Sequence, residues 1–193
     1  MTLATVSLDD KYQSEQGRIY LTGSQALVRL AMMQYLRDRA AGLDTACFIS
    51  GYRGSPMHNI DKELWRANRF LGDRQIHFVP GINEDLAATA CLGTQQAAMF
   101  PEASHDGVFA MWYGKGPGLD RSIDAIRHSN LHGSSAHGGV LVAVGDDHAL
   151  MSTDVPAASE TMFIDMLMPM LYPATVQEII DYGLYGWAMS RFR

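Results

Sequence analysis

Four short runs of almost continuously apolar residues recur along the chain. They occupy positions 45–50, 76–79, 108–113 and 140–145. A half-exposed strand alternates apolar with polar residues, whereas a strand covered on both faces is apolar throughout, as in a parallel sheet. The pattern therefore predicts four buried, parallel β-strands.

Segments with helical periodicity lie before, between and after these runs. Positions 24–41 place Ala26, Leu27, Leu30 and Ala31 at spacings of three and four residues, with Gly42 as the stop. Further helices are predicted at 60–71, 84–99, 119–131 and 175–192. Alternating strands and helices form right-handed βαβ units, so we expect an α/β fold with a doubly wound, mostly parallel sheet and helices on both faces.

Four loops follow the predicted strands at 51–59, 80–85, 114–120 and 146–156. In open α/β sheets, ligands bind outside the carboxyl ends of the strands. These loops are therefore where we look for functional residues.

Composition narrows the class of protein. A chain of 193 residues with 47% hydrophobic and 19% charged residues has the profile of one globular domain. Its net charge of −6 comes from interspersed acids and bases, which is not the pattern of a nucleic-acid groove or a polybasic membrane patch. Small molecules and proteins are the expected partners.

Cysteine usage and the N-terminal sequence indicate a compartment. Cys47 and Cys91 each lie in an apolar run, which suggests neither a disulfide framework nor an iron-sulfur site. The first 16 residues lack the order of a signal peptide, and no apolar run is long enough to span a membrane. We expect a cytoplasmic protein.

The loop after the first strand contains candidate ligand-binding groups. Gly51 and Gly54 would let the backbone approach a ligand, Arg53 could bind an anion, and Ser55 offers a hydroxyl at the entrance of the next helix. The alternative is a tight turn in which the serine caps a helix and Pro56 begins it.

The loop after the third strand is rich in glycine and carries one lysine. Gly116 stands where a P-loop needs Ser or Thr, and Gly114, Gly116 and Gly118 lack the spacing of a dinucleotide fingerprint. Lys115 remains as a point charge suited to a carboxylate or a phosphate. A flexible turn with a solvated lysine is the alternative.

A metal site is not predicted at the histidines. His128 and His132 are four residues apart on a predicted helix and His137 follows, a spacing that zinc sites can use. No carboxylate accompanies them in a motif. Solvated histidines at a helix end are the expected arrangement.

The loop after the fourth strand offers two further arrangements. Asp146 and Asp147 could hold a cation, although paired aspartates at a strand end more often form a turn or a cap. Ser152, His148 and Asp154 have the residue types of a catalytic triad. No nucleophile elbow surrounds this serine, so we do not expect a triad.

Glu84 is the candidate on which the function depends. By local rules it belongs to a capped helix start, with Asn83 as N-cap and Glu84 and Asp85 complementing the helix dipole. Its small and apolar neighbours, such as Leu86 and Ala87, permit a second role. If a partner covered this edge, the desolvated carboxyl could share a proton with a ring nitrogen of a cofactor.

Four motifs in order resemble a known family. They are ISGYRGSP at 49–56, GINEDLA at 81–87, GKGPGLD at 114–120 and VGDDH at 144–148. Together they resemble the N-terminal domain of the thiamine-diphosphate-dependent 2-oxoacid:ferredoxin oxidoreductases, in particular the long, fused indolepyruvate ferredoxin oxidoreductases. The resemblance covers 17–193 and leaves 1–16 as an N-terminal extension.

The resemblance implies a pyrimidine-binding domain of the thiamine-diphosphate fold. Glu84 would hydrogen-bond the pyrimidine nitrogen and favour the imino tautomer, which removes the thiazolium proton. Cofactor contacts are implied for Gly54, Glu84, Gly116 and Gly118, and substrate contacts for Arg53, Ser55 and Lys115. Ser55 keeps the hydroxyl of the family's threonine, whereas Arg53 and Gly54 depart from the usual Tyr-Pro-x-Thr-Pro loop.

The resemblance also implies missing parts. Neither the Gly-Asp-Gly motif that holds diphosphate and magnesium nor the cysteine clusters for iron-sulfur centres is present in the 193 residues. We expect a domain of a longer enzyme, inactive alone, whose complementary domain or second subunit supplies these groups. The complete enzyme would decarboxylate a 2-oxoacid, transfer its acyl group to coenzyme A and reduce ferredoxin.

Two other functions stay open at this point. One is a non-catalytic structural subunit or remnant that kept the fold and lost its site. The other is a Rossmann-like nucleotide- or CoA-binding module, which the glycine spacing disfavours.

Overall fold

A computed structural model describes residues 6–53, 57 and 59–192. Its strands are β1 (Thr45–Gly51), β2 (Ile76–Phe78), β3 (Gly107–Gly114) and β4 (Val140–Val144). Its helices are α1 (Asp10–Gln13), α2 (Gly23–Ala40), α3 (Ile60–Leu71), α4 (Glu84–Thr94), α5 (Gly116–His132), α6 (Ser159–Asp165) and α7 (Val176–Arg191). Short 3-10 turns follow α3 at Gly72–Arg74 and α4 at Ala97–Met99.

The four strands form one parallel sheet in the order β2-β1-β3-β4. The chain moves from β1 to β2 on one side, then crosses back over β1 to β3 and continues to β4. The winding direction therefore reverses between β1 and β3. A crevice at the carboxyl ends of these two strands is the expected ligand site of such a sheet.

Successive residues of β3 face opposite cores. Phe109, Met111 and Tyr113 pack in a core that includes residues of α2, α3 and α7. Ala110 and Trp112 pack in a second core with residues of α4, α5 and α6. The sheet is thus covered by helices on both faces, which confirms the predicted α/β fold class and explains why its strands are almost continuously apolar.

Two buried tryptophans join the helices to β3. The Trp187 indole nitrogen on α7 donates to the Ala110 carbonyl (3.0 Å), and its ring meets Phe109 edge-on at 5.0 Å. The Trp112 indole nitrogen donates to the carbonyl of Glu84 (2.9 Å). Since buried indole N–H groups need acceptors, these bonds fix the position of each helix on the sheet.

A buried ion-pair network closes the amino end of the sheet. Arg191 of α7 binds both carboxylate oxygens of Asp38 at 2.7 and 2.8 Å. The same carboxylate accepts from Gln34 (2.8 Å) and Thr45 (2.8 Å). Asp38 therefore connects α2, β1 and α7 with its hydrogen-bonding capacity used.

Two predicted boundaries were wrong. The helix predicted at 84–99 ends at Thr94. The side chain of Gln95 donates to the Val108 carbonyl (2.9 Å) and accepts from the Gly139 amide (2.8 Å), so it bridges to the sheet where the helix stops. The loop predicted at 114–120 is mostly helix, because α5 begins at Gly116 with Pro117 in its first turn, where proline is favoured.

Two short helices were not predicted. α1 and α6 have 4 and 7 residues, too few to show a helical period. Tyr12 of α1 is nevertheless buried and donates to Glu63 of α3 (2.9 Å). In the part of the chain that the structure describes, no helix combines the length and the hydrophobicity needed to cross a membrane.

Candidate functional site

The loops at the carboxyl ends of the strands are joined in pairs by backbone hydrogen bonds. The Gly81 amide donates to the Gly51 carbonyl (2.9 Å), and the Gly145 amide donates to the Gly114 carbonyl (3.1 Å). These bonds extend the sheet past its last residues. The structure thus brings the four loops selected from the sequence to a single edge.

Glu84 is the first residue of α4, directly beside the point where the winding reverses. The Asn83 carboxamide oxygen accepts from the Leu86 amide (2.8 Å), so Asn83 caps the helix. The carbonyl of Glu84 is held by Trp112 of β3. Its backbone is therefore fixed at both sides, while its own side chain makes no cap hydrogen bond.

The Glu84 side chain lies against the first turn of α5. A β-carbon added at Gly118 would stand 2.8 Å from Glu84 Cγ, closer than real β-carbons approach, and 3.2 Å from Oε1. Any larger residue at 118 would require the Glu84 side chain to move from this position. The predicted site residues Glu84 and Gly118, which are far apart in sequence, are in contact.

Glu84 is half-buried. No hydrogen bond or ion pair to its carboxylate occurs among residues 6–53, 57 and 59–192. It lies near the amino ends of two helices, whose dipoles favour a negative charge. A ligand that donates a hydrogen bond could bind here without displacing a protein group.

Lys115 is engaged with the loop after β4. Its ammonium donates to the Ser152 carbonyl (2.6 Å) and contacts the Ser152 hydroxyl (3.3 Å). Asp147 accepts from the Ser152 amide (2.6 Å) and hydroxyl (3.0 Å). The Ser152 amide is the main cause that lowers the pKa of Asp147, and Lys115 adds to it. Lys115 thus holds this loop over the end of β3.

Asp146 and Gly116 form the other contact of that loop. Asp146 accepts from the Ser159 amide (2.9 Å) and hydroxyl, at the start of α6. A β-carbon at Gly116 would lie 2.7 Å from Asp146 Oδ1 and would collide with Ala157. The aspartate pair therefore caps turns, in agreement with the alternative that the sequence favoured.

The remaining polar candidates do not assemble into a catalytic or metal site. Ser152 bonds Asp147 rather than His148. His128 and His132 have ring centroids 6.0 Å apart at the exposed end of α5. Within the described ranges, no group of three or more His, Cys, Asp or Glu residues is placed to hold a metal ion.

Gly51 lies close to Tyr113 of β3, and its predicted approach to a ligand stays a prediction. A β-carbon there would lie 2.6 Å from Cδ1 of Tyr113 and would also clash with the Tyr113 carbonyl. Arg53 is exposed, and no hydrogen bond or ion pair to its guanidinium occurs in the described part of the chain. Gly54 and Ser55 lie outside the described residues, so their predicted roles stay predictions.

Three residues near the site had no signal of their own in the sequence. Trp112 and Tyr113 look like core residues of a strand, and Asp61 looks like an acid in a helical first turn. Tertiary contacts give them positions at the site: Trp112 holds Glu84, Tyr113 lies over Gly51, and Asp61 lines a cleft beside Arg53. A search for buried polar atoms beside the strand ends would have found them.

A separate cavity of about 570 Å³ lies between α5, β4 and α7, near Phe163, Met170 and Phe192. Among its described lining residues there is no Asp, Glu, Lys or Arg. His132 and Cys91 are its titratable described lining residues, and no carboxylate or permanent cation accompanies them there. The strand ends around Glu84 are the better candidate.

The fold and the site define a doubly wound α/β domain, consistent with the thiamine-diphosphate-binding type, with a free carboxylate at its switch point. The chain is 26% identical over 186 residues to the indolepyruvate oxidoreductase subunit IorA of Methanothermobacter marburgensis. The match covers 96% of this chain and 26% of that subunit, so the chain spans about a quarter of the relative's length. No family model and no solved structure matches the chain. The similarity relates the chain to this subunit at the level of the 2-oxoacid oxidoreductase family.

Proposed function

We propose that residues 17–193 are the pyrimidine-binding domain of a thiamine-diphosphate-dependent 2-oxoacid oxidoreductase that acts on indolepyruvate or a related acid. The observation that carries this proposal is the unpartnered carboxylate of Glu84 at the switch point of the sheet. The similarity to IorA across nearly the whole chain supports it.

The residues around Glu84 suit a planar ligand with a hydrogen-bonding ring nitrogen. Asn83 caps α4, which leaves the Glu84 carboxylate for a ligand. Gly118 leaves space at the side of the carboxylate, and Trp112 fixes the backbone that carries it. A protein group that must share a proton at a defined atom needs this kind of support.

The surface beside Glu84 also suits a covering partner. Ile82 and Leu86, on either side of it, are 84% and 49% exposed. Exposed apolar residues beside a functional group are typical of an interface. A complementary domain or second subunit that covers them would remove water from the carboxylate and strengthen its hydrogen bond.

When bound, thiamine diphosphate supplies the nucleophilic carbon and the electron sink for decarboxylation of a 2-oxoacid. Glu84 would share a proton with the pyrimidine ring and so hold its reactive tautomer. Gly54, Gly116 and Gly118 would let the backbone approach the cofactor. The cation of Arg53 would meet the substrate carboxylate, with Ser55 beside it.

Lys115 is a less direct candidate for a contact with the substrate. Its ammonium donates to Ser152, so it would reach a substrate carboxylate only when the loop after β4 moves away. Magnesium, the iron-sulfur clusters and the contact with ferredoxin would come from the rest of the enzyme. A cytoplasmic location remains part of the proposal.

Replacement of Glu84 in the assembled enzyme tests the proposal. Glu84→Gln keeps the shape and removes the carboxylate, and we expect a loss of about 10²- to 10⁴-fold in kcat, the range of a lost acid-base function. Asp85→Asn is the matched control, since it alters the adjacent acid of the same helix turn and should retain near-normal activity. Normal activity of Glu84→Gln would refute the catalytic role.

Ligand binding separates the alternatives. With the complementary domain present, absence of saturable thiamine diphosphate binding in magnesium would favour a structural subunit or remnant. Protection of the chain from thermal unfolding by a nucleotide alone would favour a nucleotide- or CoA-binding module.

A further inference from the structure

A second cleft opens beside the Glu84 edge, at the carboxyl ends of β1 and β2. Its described lining residues are Tyr52, Arg53, Asp61, Trp65, Pro80, Gly81 and Ile82. The last three belong to the segment that leads into Glu84. The cleft is therefore adjacent to the proposed cofactor site and distinct from it.

Asp61 is a buried carboxylate with unused hydrogen-bonding capacity. It is 6% exposed, and Oδ1 accepts from the Lys62 amide (2.8 Å). Within the described residues, Oδ2 accepts no hydrogen bond and the carboxylate forms no ion pair. A buried charge with a free oxygen is costly, and the α3 dipole offsets only part of that cost. The position suits a donor that enters through the cleft.

Aromatic rings form one side of the cleft. Trp65 is 48% exposed and meets Phe78 edge-on, with ring centroids 5.6 Å apart. Phe78 in turn lies 6.3 Å from the ring of Tyr113. Trp65 and Tyr52 are the aromatic side chains among the described lining residues, so a planar aromatic group that enters the cleft would meet their rings, with Phe78 packed against Trp65.

The Tyr113 hydroxyl lies at the buried end of this series. It is buried and has no hydrogen-bond partner among the residues that the structure describes. Burial raises the pKa of Tyr113, the Asp61 charge raises it further, and Arg53 opposes the change, so both charges act on this hydroxyl. Tyr113 is not among the described residues that line the cleft, so the Asp61 carboxyl group is the polar group at its buried end.

Arg53 supplies the positive charge at the exposed side. Its guanidinium has no partner among the described residues, and its planar fork matches a carboxylate. The cleft thus combines an anion-binding group, an aromatic wall and a buried hydrogen-bond acceptor. These three features together favour a ligand that is an aromatic acid and also carries a hydrogen-bond donor on its ring.

We propose that this cleft binds the side chain of an aryl 2-oxoacid bearing a ring N–H, with Asp61 accepting that N–H and Arg53 binding the carboxylate. The inference rests on the proposed function and names Asp61 as a specificity-determining residue. A carboxylate only accepts hydrogen bonds. A plain phenyl ring would cover the free oxygen without satisfying it, and is therefore disfavoured.

Calorimetric titration of the 193-residue chain tests the inference without thiamine diphosphate. The probes are indole-3-lactate, a stable 2-hydroxy analogue, and 1-methylindole-3-lactate, which keeps the ring and lacks the N–H. We expect the N–H compound to bind about tenfold to hundredfold more tightly, as for a hydrogen bond to a buried charge. Asp61→Ala should remove this preference so that both probes bind alike.

Three further variants separate the contribution of each contact. Arg53→Met should weaken both probes by a similar factor and keep the preference between them. Lys62→Met, which removes an exposed neighbouring cation, should leave both affinities unchanged. Asp61→Asn keeps the side-chain shape and serves if Asp61→Ala fails to fold; it should reduce the preference.

The inference is wrong if the wild-type chain binds neither probe or binds the two equally. It is also wrong if folded Asp61 variants retain the full preference. Because these titrations contain no cofactor, their outcome is independent of the Glu84→Gln result. A functional Glu84 together with equal binding of both probes would overturn the role of Asp61 alone.

Discussion

The two ends of the parallel sheet treat their charged residues in opposite ways. At the amino end, the Asp38 carboxylate is paired with Arg191 and accepts two further side-chain hydrogen bonds. At the carboxyl end, Glu84 and Arg53 have no partner among the described residues. The buried charge at the amino end thus contributes to stability, whereas at the carboxyl end Lys115, Asp146 and Asp147 are engaged and Glu84 and Arg53 would be available to the proposed ligand.

A smaller version of this contrast occurs within α3. Glu63 accepts hydrogen bonds from Tyr12 (2.9 Å), Gln25 (3.2 Å) and Arg66 (2.7 Å). Asp61, two residues earlier, bonds only the Lys62 amide among the described residues. Both acids are buried. The neighbouring elements, and not the residue type, determine which of them is free.

Breaking the amino-end network should produce the largest effect. Asp38→Ala leaves Arg191 beside the sheet without its counter-charge, and we expect the free energy of unfolding to fall by about 3–5 kcal/mol. Urea denaturation of the 193-residue chain measures this. The matched control is Asp165→Ala, which breaks an ion pair to Arg127 whose side chains are 66% and 47% exposed.

We expect the Asp165→Ala change to cost less than about 1 kcal/mol, as for other exposed pairs. Equal losses in the two variants would contradict the view that the amino end carries a special share of the stability.

Filling the space beside Glu84 should impair function more than stability. In Gly118→Ala the new methyl group would lie 2.8 Å from Glu84 Cγ and displace the carboxylate. We expect kcat of the assembled enzyme to fall by about 10²-fold, the effect of a misplacement of about 1 Å. Steady-state kinetics measures the change, and thermal unfolding checks that the fold persists.

Gly93→Ala is its control, because a β-carbon at this α4 glycine meets nothing within 4 Å. If Gly118→Ala retained wild-type kinetics, the contact between α4 and α5 would have no role in positioning Glu84.

The dependence of the free energy of unfolding on acid pH should show the smallest effect. It distinguishes Glu63, whose carboxylate accepts several hydrogen bonds, from Glu84 and Asp61. Burial raises the pKa of Glu63, but the hydrogen bonds from Tyr12, Arg66 and Gln25 outweigh it and the net pKa is lowered from 4.5. A carboxylate with a lowered folded pKa stabilises the fold above its unfolded pKa, and that stability is lost as the pH falls through the folded value. The loss should therefore begin near pH 4.5 and increase below it.

Tyr12→Phe removes one of these hydrogen bonds. We expect it to lower the free energy of unfolding at neutral pH by about 1.5–3 kcal/mol and to flatten the dependence on acid pH. Denaturation at several pH values measures both. An unchanged slope would show that the Glu63 network does not couple protonation to folding.

Most of the fold could be predicted from local sequence. The four strands are continuous apolar runs, and the helices α2, α3 and α7 follow their periodicity to within one residue of the prediction. The end of α4 could not be predicted, because Gln95 forms hydrogen bonds to Val108 and Gly139, which are distant in the sequence. The observed start of α5 differs from the prediction. Three glycines in this segment predict a loop, whereas Pro117 favours the first turn of a helix.

The candidate site was predictable in part. Loop order at the strand ends selected Arg53, Glu84, Lys115 and the glycines, since a parallel sheet brings those loops together. The sequence could not show that Lys115 is held by Ser152, because that contact depends on the path of a loop 37 residues later.

The hydrophobic pattern specified the four strands, the helices α2, α3, α4, α5 and α7, the two-faced burial of the sheet and the set of loops at its carboxyl edge. These follow from short-range hydrophobic periodicity and from the geometry of βαβ units. Only the tertiary structure decided which charges are satisfied: it placed Gly118 beside Glu84, surrounded Glu63 with donors and left Asp61 facing a cleft. Hydrogen-bond satisfaction depends on atoms that meet across long sequence separations, and no local pattern records it.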